Sequence, residues 1–412
     1  MEPWMSDVPL AIVEAQRTLR REVPDLEGRF QRVSEALRDE VAAVRAEQAA
    51  GGTVPELAYA DVAAGRVSEA QRARIKRRGC VLIRGVFDPD QIEEWNAEIL
   101  RYIDDNHYVE RAAVKTAGDT YFGRPASVAR PILDLYWSRP QMHARQAESQ
   151  ATTRAFLNRL WTFEKDGVRH FDPDRQANYG DRIRRRHPGD TTLGLPPHSD
   201  GGSVERWCEP SFRRVYREIL HGDPFKFDPF DAAYRTQTRE IPSPAVCSAF
   251  RTFQGWTALS RQGPGDGTLQ LIPIAQTMPW MLLRALQPDV PEGELCGATP
   301  GRSLRAVPEW HALLLEGYGS IPLMQPGDAI FWHPDVLHGV EDAHRGSGYS
   351  SVMYIAPAPD CAKNRAYARI QRDAFESGRS APDFAPDDFE VGFRDRFTRA
   401  DLSPLGLREM GY

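Results

Sequence analysis

A chain of 412 residues, 41% of them hydrophobic, holds enough apolar material for one large domain with additions, or for two. Its formal net charge of −6 argues against general nucleic-acid binding, and no apolar run approaches membrane-spanning length. The five cysteines (Cys80, Cys208, Cys247, Cys296 and Cys361) are scattered and form no Cys-x-x-Cys pair. With an amino terminus that lacks a secretory pattern, they fit free thiols and an expected cytoplasmic location.

Residues 1–50 read as a helical extension, with Phe30, Val33, Leu37, Val41 and Val44 at three- and four-residue steps. That stripe packs on its own domain or forms a homodimer contact. Gly51-Gly52-Thr53-Val54-Pro55 breaks the pattern. A basic helix from Ser68 to Arg78, a strand from Cys80 to Phe87 and a helix from Gln91 to about Ile103 follow. Pro131–Trp137 reads as an extended segment leading to a helix around Gln141–Trp161. There Tyr136, Gln141 and Arg145 are read as structural in preference to pocket-lining. The run Arg182–Arg186 reads as an exposed, acid-paired strand edge, with attraction of an anionic substrate as the alternative. Residues 205–245 form an insertion with an aromatic, turn-rich part at Asp223–Phe230, either a lid or an Ω-like loop. Residues 51–360 form the main domain. Residues 361–412 supply a helix, up to about residue 378, and an irregular surface strap.

The chemistry concentrates in two segments. In Leu195-Pro196-Pro197-His198-Ser199-Asp200-Gly201-Gly202, the histidine and the aspartate are two residues apart. On a strand, that spacing points both side chains to one face, so both can reach a single metal ion. Far along the chain, Pro326-Gly327-Asp328 reads as a tight turn and Ala329-Ile330-Phe331-Trp332 as a short buried strand; His338 then opens another short strand. Two histidines and one carboxylate form the ligand set of an iron site that keeps three positions open.

These segments, with Gly255–Ser260 and Gly263–Pro273 between them, resemble the iron(II)- and 2-oxoglutarate-dependent oxygenases. The resemblance is to their phytanoyl-CoA-hydroxylase-like branch, and within it to a subfamily labelled a domain of unknown function; it covers roughly residues 70–360. It implies that His198, Asp200 and His338 hold iron(II), with 2-oxoglutarate and dioxygen as co-substrates and hydroxylation of a substrate as the outcome. The expected fold is mainly β with packed helices, around a distorted double-stranded β-helix (a cupin-like jelly roll).

One departure matters. In that superfamily an arginine roughly ten residues past the distal histidine pairs with the far carboxylate of 2-oxoglutarate, because a planar guanidinium matches a carboxylate. Here Gly348 and Tyr349 stand ten and eleven residues after His338. Arg345, with Arg251 and Arg206 as substitutes, is the expected anchor, and Ser350 or Ser351 could add a hydroxyl donor. The substrate is expected to be a small molecule, with neither nucleic acid nor membrane as partner. Trp207, Phe253, Trp256, Trp332 and Tyr354 are either stacking surfaces or core, and Arg261 could pair with an anionic group. A cupin-like metal enzyme without 2-oxoglutarate and a non-catalytic jelly-roll binding protein remain the alternatives.

Overall fold

The computed structural model describes residues 3–114, 131–191 and 195–412. The chain forms β1 (Glu56–Ala58), β2 (Cys80–Arg84) and β3 (Ile132–Leu133), then the short β4 (Glu164–Lys165), β5 (Val168–Arg169) and β6 (Asp172–Gln176). Next come β7 (Ile183–Arg186), β8 (Leu195–Ser199), β9 (Gln254–Ala258) and β10 (Leu269–Leu271). The series ends with β11 (Leu304–Arg305), β12 (Gly319–Ser320), β13 (Ala329–Trp332), β14 (His338–Val340), β15 (Ser350–Tyr354) and β16 (Pro359–Asp360).

Two sheets form the centre. The larger runs β1-β2-β13-β9-β15-β7-β3, and the smaller runs β11-β8-β14-β10-β12. The fully buried strands explain how they are sandwiched. Along β13, Ile330 and Trp332 join an apolar cluster with Leu269 and Leu271 of the smaller sheet. Ala329 and Phe331 point the other way, into a cluster with Ile92, Trp95 and Ile99 of the helix Pro89–Asp105. The two-residue period of a strand thus divides one short run between the space between the sheets and the helical layer outside.

Helices hold more residues than strands, so the expectation of a mainly β chain holds only for the centre. The physical reason is cover. An outer sheet face carrying Val81, Ile83, Phe331 and Met353 must be shielded from water, and helices do this. The expected N-terminal helix is two helices, Val8–Glu22 and Leu26–Ala49. Its stripe of Val33, Leu37, Val41 and Val44 packs into a cluster with Met281, Leu282 and Leu314 of the same chain. Among the described residues, no helix is long and apolar enough to cross a membrane.

A buried charge cluster ties the 205–245 insertion to the loop that leads into His338. Asp335, between β13 and β14, accepts hydrogen bonds from Arg206 and the Tyr216 hydroxyl on one oxygen, both at 3.1 Å, and from Arg235 at 2.8 Å on the other. Next to it, His333 accepts the Asp335 backbone N–H on Nδ1 at 3.0 Å, which leaves Nε2–H to donate to Pro229 O at 2.9 Å. Burial alone would raise the Asp335 carboxyl, but Arg235 and Arg206 hold it far below the usual carboxylate range. Its folded value is depressed, so its contribution is present above the ordinary aspartate range and fades as pH falls below it. Asp335→Asn leaves two buried guanidiniums without a carboxylate. We expect a loss of about 3–5 kcal/mol of unfolding free energy at neutral pH, read by urea titration.

Candidate functional site

β8 and β14 pair antiparallel in a register that sets His198 directly opposite His338. Their imidazole centroids are 4.3 Å apart. Asp200 sits one residue beyond the end of β8, and its carboxylate turns back toward both rings. The distances are 3.5 Å from His198 Nε2 to Oδ1 and 3.8 Å from His338 Nε2 to Oδ2. One ligand atom from each residue fits within 4.8 Å of the others. Three glycines permit this arrangement. Gly201 and Gly202, with φ of +86° and +80°, turn the chain away directly after Asp200. At Gly339 a Cβ would lie 2.3 Å from Leu195 O, so only glycine lets β14 approach β8 this closely.

The surroundings prepare the three groups for a cation. Nδ1 of His198 lies 2.9 Å from Pro196 O, and Nδ1 of His338 lies 3.3 Å from Val336 O. A carbonyl only accepts, so each Nδ1 carries the proton and each Nε2 presents a lone pair. Asp200 accepts from Ser303 Oγ at 3.1 Å and from Gln254 Nε2. Arg251 approaches the same carboxylate at 3.8 Å. Burial would raise the Asp200 carboxyl, but His338, His198 and Arg251 hold it down at about 2. Burial first, and His198 second, lower His338 to about 3. A neutral imidazole and an ionised carboxylate are the forms a metal needs. Two nitrogens and one oxygen on one side of a shared point suit a divalent first-row metal with open positions.

The family profile described as Gig2-like matches residues 6–412. The chain belongs to the Gig2-like family. It is 44% identical over 409 residues to the uncharacterised protein YbiU of Escherichia coli (strain K12), covering 98% of this chain and 97% of that one. A solved structure from Salmonella typhimurium LT2, provisionally named an oxidoreductase, is 43% identical, with a TM-score of 0.93 and 98% of each chain covered. The GlcNAc Inducible Gene 2 protein of Candida albicans is 26% identical, with a TM-score of 0.77 over 97% of this chain and 89% of that one.

In this Gig2-like chain the cavity at the triad is lined by Arg184, Arg251, Trp256, Trp332 and Tyr354, among others. The expected arginines separate sharply. Arg345 is 68% exposed, pairs with Asp342 at 3.6 Å and lies outside the cavity. A surface turn leaves it in water, so it is corrected to a solvated arginine. Arg206 is buried and pairs with Asp335 at 3.1 Å, a carboxylate it shares with Arg235, and it does not line this cavity. Ser351 also falls away. It alternates with Val352, which faces the space between the sheets, so its side chain turns to the outer face of β15. Arg251 does line the cavity, whereas Arg261 is exposed. Trp207 and Phe253 are core residues. Gln141 and Arg145 are structural, both donating to Asp181 O.

The run Arg182–Arg186 is not an exposed edge, because β7 lies between β15 and β3. Arg186 is fully buried and pairs with Asp190 at 2.9 Å. Arg184 is also buried, yet among the described residues no carboxylate comes within ion-pair distance of it. Among the described residues its one side-chain hydrogen bond goes to Gln262 Oε1 at 3.2 Å, its Nε has no partner, and its guanidinium lies 5.9 Å from the centroid of the Trp256 ring. The sequence signal was present in that arginine-rich strand; its burial was not. Gln254 and Ser303, which hold Asp200, carry no motif that would have marked them.

Two buried histidines set an acid limit on the fold. His338 and His333 both fall to about 3, each chiefly through burial. Below about pH 6.5 the unfolded chain takes up protons that the folded chain refuses, so stability falls with pH at roughly 1.4 kcal/mol per unit for each histidine. In metal-free protein, His338→Gln is expected to shrink the stability lost between pH 7 and pH 5 by ~2 kcal/mol, as measured by urea unfolding at both values.

Proposed function

We propose that this chain is a non-haem iron(II)- and 2-oxoglutarate-dependent dioxygenase that hydroxylates a small molecule and releases succinate and carbon dioxide. The observation that carries this reading is the convergence of His198, Asp200 and His338 at the mouth of a two-sheet core. The strand order supports the fold expected for such an enzyme. The orders β7-β15-β9-β13 within the larger sheet and β8-β14-β10-β12 in the smaller fit the two four-strand halves that a double-stranded β-helix would have. The fold alone assigns no function; the residues at its mouth do.

In this reading the Nε2 atoms of His198 and His338 and the carboxylate of Asp200 hold the metal. Gln254 and Ser303 fix the angle of Asp200. Iron(II) and 2-oxoglutarate, when bound, supply the activation of dioxygen and the oxidising equivalents. Arg184 takes the role first sought at Arg345. It is a buried cation in the same cavity, without a carboxylate of its own, and such a group is costly unless an anion answers it. It stands opposite Val352 on β15, so a guanidinium from β7 can serve the region that the superfamily serves from the neighbouring strand. Ser350 Oγ donates to the same Gln262 oxygen as Arg184, which steadies the guanidinium from below. The indoles of Trp256 and Trp332 line the cavity and keep water from the reacting region.

Asp200→Ala and His338→Ala should each abolish iron retention, measured by metal analysis after dialysis, together with succinate formation. Full turnover in either variant would remove the triad from the mechanism. Arg184→Gln should raise the 2-oxoglutarate concentration needed for half-maximal succinate release roughly 10- to 100-fold, the scale of one lost charge-assisted interaction. Arg345→Ala should leave that concentration unchanged, and the opposite pattern would return the anchor to Arg345. Succinate that does not depend on added 2-oxoglutarate would favour a metal enzyme of the same fold that dispenses with the co-substrate.

A further inference from the structure

Arg251, like Arg184, is a guanidinium of the triad cavity with no carboxylate reserved for it among the described residues. Its side chain is 9% exposed and makes no hydrogen bond among the described residues. Its nearest carboxylate, Asp200 at 3.8 Å, belongs to the triad. The other acids around the cavity are already engaged. Asp181 and Asp134 face Arg182, at 3.8 and 3.6 Å, and Asp383 accepts from the Tyr179 hydroxyl and from Ser248. Beyond Asp200, Glu240 pairs with Lys363 at 2.8 Å.

The support beneath Arg251 is equally specific. Its guanidinium stacks over the Tyr179 ring, 5.0 Å from the centroid. The Tyr179 hydroxyl is tethered to Asp383 at 3.0 Å, and its ring stacks on Tyr367. The backbone on either side is clamped. Phe250 exchanges two hydrogen bonds with the Asn364 side chain, and Thr252 N–H donates to Pro357 O. A positioned, planar, desolvated guanidinium whose N–H groups make no hydrogen bond can receive a carboxylate.

Resting on the reading above, we infer that Arg251 binds the carboxylate of the substrate, and that the substrate is a small organic acid oxidised at a carbon close to that carboxylate. Arg251 lies beside Asp200, so a carboxylate in its fork brings the neighbouring carbons next to the triad. In the reading above, the far carboxylate of 2-oxoglutarate would be held by Arg184, which lines the same cavity. The two arginines thus divide two acids between them. Val246, Ile132, Leu195 and Phe384, which line the same cavity, offer an apolar wall to the rest of the molecule. The reaction balances as acid, dioxygen and 2-oxoglutarate giving hydroxy acid, succinate and carbon dioxide, with one oxygen atom to each organic product.

The test is calorimetric. The 412-residue protein loaded with iron(II) and 2-oxoglutarate, without oxygen, is titrated with acetate, hexanoate and benzoate, and with acetamide, hexanamide and benzamide. At least one acid should bind roughly 10- to 100-fold more tightly than its amide, the scale of a charge-assisted pair. Arg251→Gln should erase that preference, Arg251→Lys should restore part of it, and Tyr179→Phe should weaken it. Arg184→Gln should leave it in place while weakening 2-oxoglutarate itself. An acid preference absent from every pair, or one that survives Arg251→Gln, overturns the inference. The same titrations on metal-free protein separate the two proposals, because an acid preference set by Arg251 persists there even if iron and 2-oxoglutarate do not bind.

Discussion

The pairing of β8 with β14 is the constraint on which the site depends. His198 and Asp200 can share one point with the distant His338 only if the two strands lie side by side in one register. A slip of one residue would turn one imidazole to the opposite face of the sheet. Gly339 lets the strands approach, and the two left-handed glycines after Asp200 turn the chain away before the carboxylate leaves the site. The carbonyls of Pro196 and Val336 then set both imidazoles in the same tautomer. Backbone geometry thus decides which nitrogen faces inward.

Buried arginines show how the rest of the molecule is organised around that point. Arg206 and Arg235 share Asp335, and Arg186 has Asp190. These contacts hold the insertion and the strand ends in place, and each of the three arginines has a carboxylate within ion-pair distance. Arg184 and Arg251 are different, since neither has a carboxylate reserved for it, and both face the cavity of the triad. A folded chain seldom keeps desolvated cations without counter-charge unless a ligand supplies it. Two such positions, one deep and one beside Asp200, fit a site that receives two anionic molecules together.

The segments outside the sheets do more than cover them. The loop carrying Asp335 and His333 ties the insertion to the approach of His338, so packing of the insertion bears on the placement of that histidine. The C-terminal strap reaches back to the site through Asp383, which tethers Tyr179 under Arg251. Elements that read as decoration along the chain therefore contribute to the preorganisation of the site.

What the sequence determined by itself was local: the His-x-Asp spacing, the buried strand Ala329–Trp332, the turn before it and the apolar stripe Val33–Val44. Each is written in neighbouring residues through a strand or helix period. What only the tertiary structure decided was which charges meet. Arg345 has the suggestive position but lies in water, whereas Arg184 sits in a run that reads as a solvated edge and yet is buried between β15 and β3. Gln254, Ser303 and Tyr179 carry no motif, because their work depends on neighbours far away in the chain. Burial and counter-charge are properties of the assembled sheet, and no spacing in the sequence encodes them.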